Sequence, residues 1–200
     1  LNYLKTWRDH SLLVSAYYRP TTDVIQRISY KNSEDGLFYS TSMNVAKSQS
    51  SGLELTLKNK FFRILDLTTS ANAYYYKLDG FAYPIDGQIV RGAADDRFTW
   101  NARMTASLIL PYDISVQATG RYEARQVITQ GYRKPSYSVD FGARKNFFNK
   151  LITVAVNCRD LLNSRQWGTF TSGDNFTRHQ INKRGGRRFN FTVTWNFGNM

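Results

Sequence analysis

Two consecutive stretches, FTWNARMTASLIL at residues 98–110 and ISVQATGRYEAR at residues 114–125, decide the fold class. In both stretches apolar and polar residues alternate, and Ile109 is the one residue that breaks the alternation. A period of two residues puts apolar side chains on one face of an extended strand and polar side chains on the other. The stretches therefore predict two amphipathic β-strands joined by a tight connection at residues 111–113.

The same alternation recurs along the rest of the chain. It is visible at residues 12–18, 53–57, 65–75, 137–143, 152–158 and 189–197. Counting these stretches predicts eight strands, with a ninth near residues 1–7, and residues 37–45 would prolong the strand that continues through Leu57. Several strands exceed the common length of about 5 to 6 residues and suit a tilted membrane strand of about 9 to 11. We therefore expect an all-β, antiparallel fold of about eight to ten strands.

Composition excludes several other classes of protein. The chain has 200 residues, of which 42% are hydrophobic and 15% aromatic, and it carries a formal net charge of +12. This length permits one ordinary domain, the aromatic content argues against disorder, and a single Cys excludes an internal disulfide. The longest apolar run is the four residues 73–76, whereas a membrane-spanning helix needs about 20.

The connections between the strands alternate in length. Short connections fall at residues 8–10, 58–62, 111–113 and 146–150, and longer polar ones at 26–44, 77–96, 162–187 and, less extended, 130–135. Short and long connections therefore lie on opposite rims of the predicted sheet. Outer-membrane barrels show this asymmetry, with short periplasmic turns and longer outside loops.

The two faces of the strands suit lipid on one side and water on the other. Aromatic residues such as Phe98 and Trp100 stand near the strand ends of the apolar face, whereas small residues such as Ala106 and Ala118 occupy the middle. Aromatic girdles at two interfaces give this distribution. We therefore predict a transmembrane β-barrel, and a soluble β-rich module remains an alternative.

The polar face carries more charge than a small filled interior accommodates. Barrels of about eight strands have room for little more than side chains, whereas about 22 strands enclose a lumen that needs a plug. We therefore expect residues 1–200 to be one barrel segment, the C-terminal part of a larger barrel, without a signal peptide or a plug domain. An eight-stranded barrel with a salt-bridged interior remains open.

Four stretches resemble a known family. They are NVAKSQSSGLELTLK (44–58), DDRFTWNA (95–102), VAVNCRDLLNS (154–164) and RRFNFTVTWNF (187–197). The first resembles a segment in which a Gly leads into a Glu-bearing strand, and the second resembles the return from an outside loop into a membrane strand. The third resembles a penultimate strand with an Asp-Leu-Leu-Asn exit, and the fourth resembles a terminal strand read by the barrel-assembly machinery. Together they resemble the C-terminal part of a TonB-dependent outer-membrane receptor of the outer membrane protein β-barrel type found in Bacteroidota. The chain departs from this pattern by adding Gly198, Asn199 and Met200 after Phe197.

The resemblance implies a function and a set of partners. The complete receptor would import a scarce solute, such as a glycan or siderophore, across the outer membrane of a Gram-negative bacterium. Its partners would be outer-membrane lipid and lipopolysaccharide, a plug domain, TonB and the barrel-assembly machinery, and nucleic acid would not be a partner. A small stand-alone barrel with an adhesin or structural role is the alternative.

Residues of three kinds are candidates for these roles. The ligand-binding candidates in the last long connection are Trp167, Phe170, Phe176, Arg178 and His179. The candidates that face the lumen or the plug are Glu54, Tyr74, Tyr76, Arg103, Arg121, Glu123, Arg125 and Arg144, although cross-strand pairing is an alternative role for the arginines. The barrel-assembly signal comprises Phe189, Phe191, Val193, Trp195 and Phe197.

Catalytic and metal-binding residues are scarce. His10 and His179 fall in connections on opposite rims, so we expect no enzymatic activity and no cofactor, and Cys158 fits a small buried hydrophobe. Four aspartates in one connection, at 79, 86, 95 and 96, suit a solvated loop or a calcium site. The basic run at 183–188 suits lipopolysaccharide phosphates, an anionic ligand or a solvated surface, and nucleic acid is the least favoured partner.

Overall fold

The computed structural model describes residues 1–183 and 185–197, without the side chains of Val45 and Ala46. All regular structure in these residues is β-strand. The strands are β1 (Asn2–Trp7), β2 (His10–Lys31), β3 (Phe38–Phe61), β4 (Leu65–Leu78), β5 (Phe81–Ile85), β6 (Gln88–Gly92), β7 (Asp95–Leu110), β8 (Ile114–Glu123), β9 (Gln126–Ile128), β10 (Gly131–Arg133), β11 (Ser136–Phe147), β12 (Ile152–Arg159), β13 (Trp167–Gly173), β14 (Phe176–Asn182) and β15 (Arg188–Trp195). Nothing in the described ranges forms a helix that is long and apolar enough to cross a membrane.

The main sheet has nine strands, which confirms the eight strands and the ninth at residues 1–7. Their order is β1-β2-β3-β4-β7-β8-β11-β12-β15, and all neighbours are antiparallel. Each main strand pairs with the next main strand along the chain, so the topology is an up-and-down meander. We call this nine-stranded sheet the wall.

The register of the wall matches apolar positions with apolar positions. In the middle of the sheet, Ala106 pairs with Leu67 on one side and with Ala118 on the other. Toward the end of the chain, Val156 pairs with Phe191. Because a shift of one residue would send every apolar side chain to the other face, this matching specifies the pairing.

The apolar face of the wall is exposed. The exposed fraction is 51% for Met104 and 55% for Leu53. These are apolar residues in mid-strand, and no second protein layer in the described ranges covers them. In a soluble sandwich a facing sheet would bury the equivalent positions at a distance of about 10 Å.

The tight turns confirm the expected short rim. Positive φ angles occur at Arg8 in the β1–β2 turn, at Phe62 and Arg63 in the β3–β4 turn, and at Tyr112 and Asp113 in the β7–β8 turn. Left-handed backbone conformations let two antiparallel strands join through a very short connection. The chain thus makes its sharp reversals at one rim.

The opposite rim differs from the sequence prediction. β3 begins at Phe38, which confirms that residues 37–45 prolong this strand, but β2 extends to Lys31, so only residues 32–37 connect the two strands instead of the expected long loop at 26–44. The other long connections contain the hairpins β5–β6, β9–β10 and β13–β14. The prediction was wrong here because β9 and β10 have only three residues each, β5 is apolar along its whole length, and β13 and β14 are mostly polar, so none of these strands shows the apolar alternation that reveals a strand. We call these hairpins, together with the outer ends of β2, β3 and β4, the outer layer, and we call the outer ends of β2 and β3 the β2–β3 ribbon.

The outer layer contains the buried apolar cluster that the described residues form. Its members are Ile28, Tyr30, Leu78, Phe81 and Val90, whose exposed fractions are 0%, 7%, 1%, 8% and 6%. They come from β2, β4, β5 and β6. The outer layer is therefore a packed structure, whereas the wall leaves its apolar face open.

Candidate functional site

The polar face of the wall brings together four of the predicted lumen residues. Glu54, Arg103, Arg121 and Glu123 line one concavity of about 350 Å³, together with Asn and Ser side chains from β4 and β7. The register explains the grouping, because Glu54 is joined to Glu123 through a row of two asparagines, one on β4 and one on β7. The alternation of the strands was sufficient to place these four residues on one face, and that this face lines the lumen or contacts a plug stays a prediction.

Charge on this concavity is only partly neutralised within the described ranges. Arg19 pairs with Glu54 at 3.5 Å, and Arg121 pairs with Asp140 at 3.3 Å. Arg103 lies directly opposite Arg121 across the β7–β8 pair. Two like charges at directly opposite positions destabilise a sheet, so a negatively charged neighbour would stabilise this position.

The other four lumen candidates lie elsewhere. Arg144 lines a second concavity of about 390 Å³, and Tyr74 lies opposite Gly52 on the polar face. Tyr76 packs against the apolar cluster of the outer layer. The guanidinium of Arg125 lies 3.4 Å from the centre of the Tyr132 ring, so it joins the wall to the outer layer.

A cluster that the sequence analysis did not select lies where β8, β11 and β12 leave the wall. Asp140 accepts hydrogen bonds from the Arg165 Nη2 at 3.1 Å, the Arg121 Nη1 at 3.3 Å and the backbone N–H of Asp160 at 2.9 Å. Asp160, which is 3% exposed and has a φ of +56°, accepts from the backbone N–H groups of Ser164 and Arg165. Asp160 is the first residue of the Asp-Leu-Leu-Asn exit, and together with Asp140 of β11 it holds the chain as it leaves β12 toward the outer layer.

Buried amides and hydroxyls attach the four-stranded sheet β14-β13-β10-β9 to the β2–β3 ribbon. The Gln130 side chain accepts from the backbone N–H of Ser29 at 2.8 Å and donates to the carbonyl of Arg91 at 3.3 Å. The Thr129 hydroxyl donates to the Gln26 side chain at 2.7 Å. Thr129 and Gln130 are only 2% and 5% exposed, and these hydrogen bonds therefore fix the two parts against each other.

The five ligand-binding candidates lie on strands and not in a loop. Trp167 and Arg178 share one face of the β13–β14 hairpin, and Phe170 and His179 share the other. Phe170 contacts His179 edge to face with ring centres 4.8 Å apart, and Phe176 packs on Phe38 in the same way at 5.5 Å. Three of the five therefore pack against other rings, and Trp167 and Arg178 do not.

Arg178 faces a cleft between the β2–β3 ribbon and the four-stranded sheet, which we call the outer cleft. Its volume is about 440 Å³. The lining residues are Gln26, Arg27, Ser29, Ser40, Ile128, Gln130, Arg133, Thr169, Thr171, Arg178, Gln180 and Asn182. Sequence reasoning found only Arg178, because the lining comes from strands far apart in the chain.

Two tyrosines bind aspartates at the tip of the outer layer. The Tyr30 hydroxyl donates to Asp86 Oδ2 at 2.5 Å, and the Tyr39 hydroxyl donates to Asp35 Oδ2 at 2.6 Å. The hydrogen bond to Asp86 raises the pKa of Tyr30 to about 12, with a further contribution from burial. The Tyr39 hydroxyl, followed by the backbone N–H of Leu37, lowers the pKa of Asp35. The Tyr30–Asp86 pair joins the tips of the β2–β3 and β5–β6 hairpins, and the Tyr39–Asp35 pair lies within the β2–β3 hairpin.

The predicted assembly signal lies on β15 and just beyond it. Phe189, Phe191, Val193 and Trp195 occupy one face at 57–69% exposure, and Phe197 follows the strand.

Cys158 pairs with Phe189 and is 4% exposed, as expected for a small buried hydrophobe. The added residues 198–200 and Arg184 of the basic run lie outside the described residues.

The histidines and carboxylates considered as catalytic or metal-binding candidates are dispersed over the described residues. His10 lies at the short rim beside Asn59, far along the wall from His179 in the outer layer. Among the described residues no group of three or more His, Cys, Asp or Glu side chains is placed to hold a metal ion. Asp86 and Asp96, two of the four aspartates considered for calcium, each accept a hydrogen bond from a tyrosine.

An antiparallel meander with an exposed apolar face, a charged polar face and sharp turns at one rim is the wall of a membrane β-barrel. The chain belongs to the outer membrane protein β-barrel family, whose model matches residues 1–195. Membership places the chain in the outer membrane. No curated protein and no solved structure matches it.

Proposed function

We propose that this chain is part of the barrel wall of a TonB-dependent receptor, which imports a scarce solute across the outer membrane of a Gram-negative bacterium. The observation that supports this most strongly is the incompletely neutralised polar face of the wall. Arg103 lies opposite Arg121 in the concavity, which Glu54 and Glu123 also line, and a plug domain with polar and charged side chains would stabilise such a surface.

The outer layer supports a receptor in preference to a structural barrel. Two additional sheets, of four and two strands, extend the wall at one rim. Their internal hydrogen bonds hold clefts in place, and a rigid frame lowers the entropic cost of binding a ligand. A purely structural barrel has no need of such a frame.

The proposed mechanism has three steps. The outer layer captures the solute, a plug closes the lumen against the polar face, and TonB pulls on the plug from the periplasm to open a path. The apolar face contacts lipid and lipopolysaccharide, and the exposed β15 strand serves as the signal to the barrel-assembly machinery. No bond of the solute is made or broken in this scheme.

Import can be tested in cells that carry the complete gene. We would delete the gene, restore it on a plasmid, and measure the uptake of a panel of radiolabelled ferric siderophores, cobalamin and oligosaccharides. Uptake of at least one member should disappear on deletion and return on complementation. A protonophore should abolish uptake while binding to the cell surface persists, because TonB uses the proton gradient.

Two results would contradict the proposal. If deletion altered adhesion or envelope integrity and left every uptake unchanged, the stand-alone barrel would be the better description. If the purified protein stayed monomeric in buffer without detergent, the wall would not be a membrane structure at all.

A further inference from the structure

The outer cleft is a preformed space with two independent walls. The β2–β3 ribbon supplies Arg27 to one side, and the four-stranded sheet supplies Arg133 and Arg178 to the other. The buried hydrogen bonds of Gln130 and Thr129 join these two parts directly beside the cleft. The separation of the walls is therefore set by the fold before any ligand arrives.

The charge in the cleft has one sign. Its lining includes three arginines and no carboxylate, and Arg27, Arg133 and Arg178 form no ion pair within the described ranges. The Arg27 Nε donates to the Ser40 Oγ at 2.8 Å, and the Arg133 Nη1 donates to the Gln126 side chain at 3.1 Å. These bonds orient the two guanidiniums and leave most of their donors available.

The rest of the lining is polar as well. Apart from Ile128, it consists of serine and threonine hydroxyls and of glutamine and asparagine amides. Hydroxyls and amides both donate and accept hydrogen bonds, as sugar hydroxyls do. Trp167 lies on the same face of the sheet and is 40% exposed, so its ring offers an apolar surface next to the polar lining.

We propose that the outer cleft binds an anionic, hydroxyl-rich molecule, of which a short saccharide with uronate carboxylates is the simplest example. Guanidinium groups form paired hydrogen bonds with carboxylate and phosphate, and the hydroxyls and amides bind the sugar ring. A volume of about 440 Å³ falls in the usual range for small-molecule sites. The inference rests on the proposed function only in placing the cleft on the outer rim.

Two sources supply this chemistry, namely a free acidic saccharide and the phosphorylated sugars of lipopolysaccharide. Calorimetry on the full chain in detergent micelles separates them with three probes: a galacturonic acid trisaccharide, a neutral galactose trisaccharide and lipopolysaccharide. We expect the acidic saccharide to bind and the neutral one to bind at least about tenfold more weakly, since each charged hydrogen bond accounts for roughly a factor of ten. Binding of lipopolysaccharide alone would overturn the free saccharide as the source.

Variants connect binding to the cleft. Arg27→Gln and Arg178→Gln should each weaken binding by about tenfold, and Arg178→Lys should weaken it less, because the charge stays while the planar fork is lost. The matched control is Arg63→Gln, which removes the same charge in the β3–β4 turn at the short rim and should leave binding unchanged.

Equal binding of the acidic and neutral saccharides, or equal weakening by Arg63→Gln and Arg178→Gln, would overturn the proposal. Heat-modifiable migration on gels shows whether each variant has formed a barrel. The binding assay needs no TonB, so it tests the outer cleft independently of import. A loss of import with binding intact would therefore contradict the proposed function alone, and a loss of binding with import intact would contradict this inference alone.

Discussion

At the scale of single residues, the Asp140 carboxylate fixes the chain where it leaves β12 for the outer layer. Asp140 has three donors, from Arg165, Arg121 and the backbone of Asp160, whereas three of the five ion pairs among the described residues are exposed on both sides. The Arg165 side chain is only 14% exposed. Partial burial makes such an interaction stronger than a surface pair, because water screens it less.

The first prediction concerns Asp140→Asn. Removing the charge leaves the Arg165 guanidinium without its carboxylate, so we expect the free energy of unfolding to fall by about 1 to 3 kcal/mol. The matched control is Asp66→Asn, whose partner Lys60 is 3.8 Å away with both side chains about half exposed, and which should cost less than about 1 kcal/mol. Urea titration of the protein in detergent measures both. Equal effects of the two variants would show that the cluster at Asp140 has no special role.

At the scale of the element, each wall strand has one face for lipid and one for the polar interior. β7 shows this at two nearby positions. Met104 lies on the apolar face and is 51% exposed, whereas Ser107 lines the second concavity, that of Arg144, on the polar face. The difference in environment, and not the strand itself, decides what each position tolerates.

The second prediction compares Met104→Arg with Ser107→Arg. An arginine on the lipid face near the midplane costs about 2 to 4 kcal/mol, whereas interior positions tolerate charge. We expect Met104→Arg to reduce the fraction of heat-modifiable protein in vesicles strongly and Ser107→Arg to change it little. The reverse order would mean that the faces are assigned the wrong way round.

At the scale of the whole molecule, the wall and the outer layer are stabilised by different forces. The wall is stabilised by cross-strand pairing and by contact with lipid. The outer layer lies in water and is stabilised by its apolar cluster and by side-chain hydrogen bonds such as those of Gln130, Thr129 and Tyr30. The Tyr30–Asp86 bond connects two hairpins of the outer layer. The outer layer should therefore loosen under conditions that leave the wall intact.

The third prediction tests this with alkaline pH. The pKa of Tyr30 is raised from 10.0 to about 12. The hydrogen bond from its neutral hydroxyl to Asp86 therefore stabilises the folded protein fully below about pH 10, and this stabilisation is lost as the pH rises toward about 12. The tyrosinate absorbance of the wild type minus that of Tyr30→Phe should therefore titrate with a midpoint near 12. A midpoint near pH 10 would show that Tyr30 does not form this hydrogen bond with Asp86 in solution. Far-ultraviolet circular dichroism should show that the strands of the wall persist over the same range.

Sequence and tertiary structure contributed different parts of this description. Alternation in stretches such as residues 98–110 was enough to predict the wall, its faces and the positions of Glu54, Arg103, Arg121 and Glu123, because in a strand the side chain direction follows from position alone. The outer layer escaped prediction because its strands are too short, too polar or, in β5, too uniformly apolar to show an alternation. The outer cleft and the Asp140 cluster depended wholly on tertiary structure, since Arg27 and Arg178, or Asp140 and Arg165, meet only when distant strands pack together, and no local pattern encodes such distances.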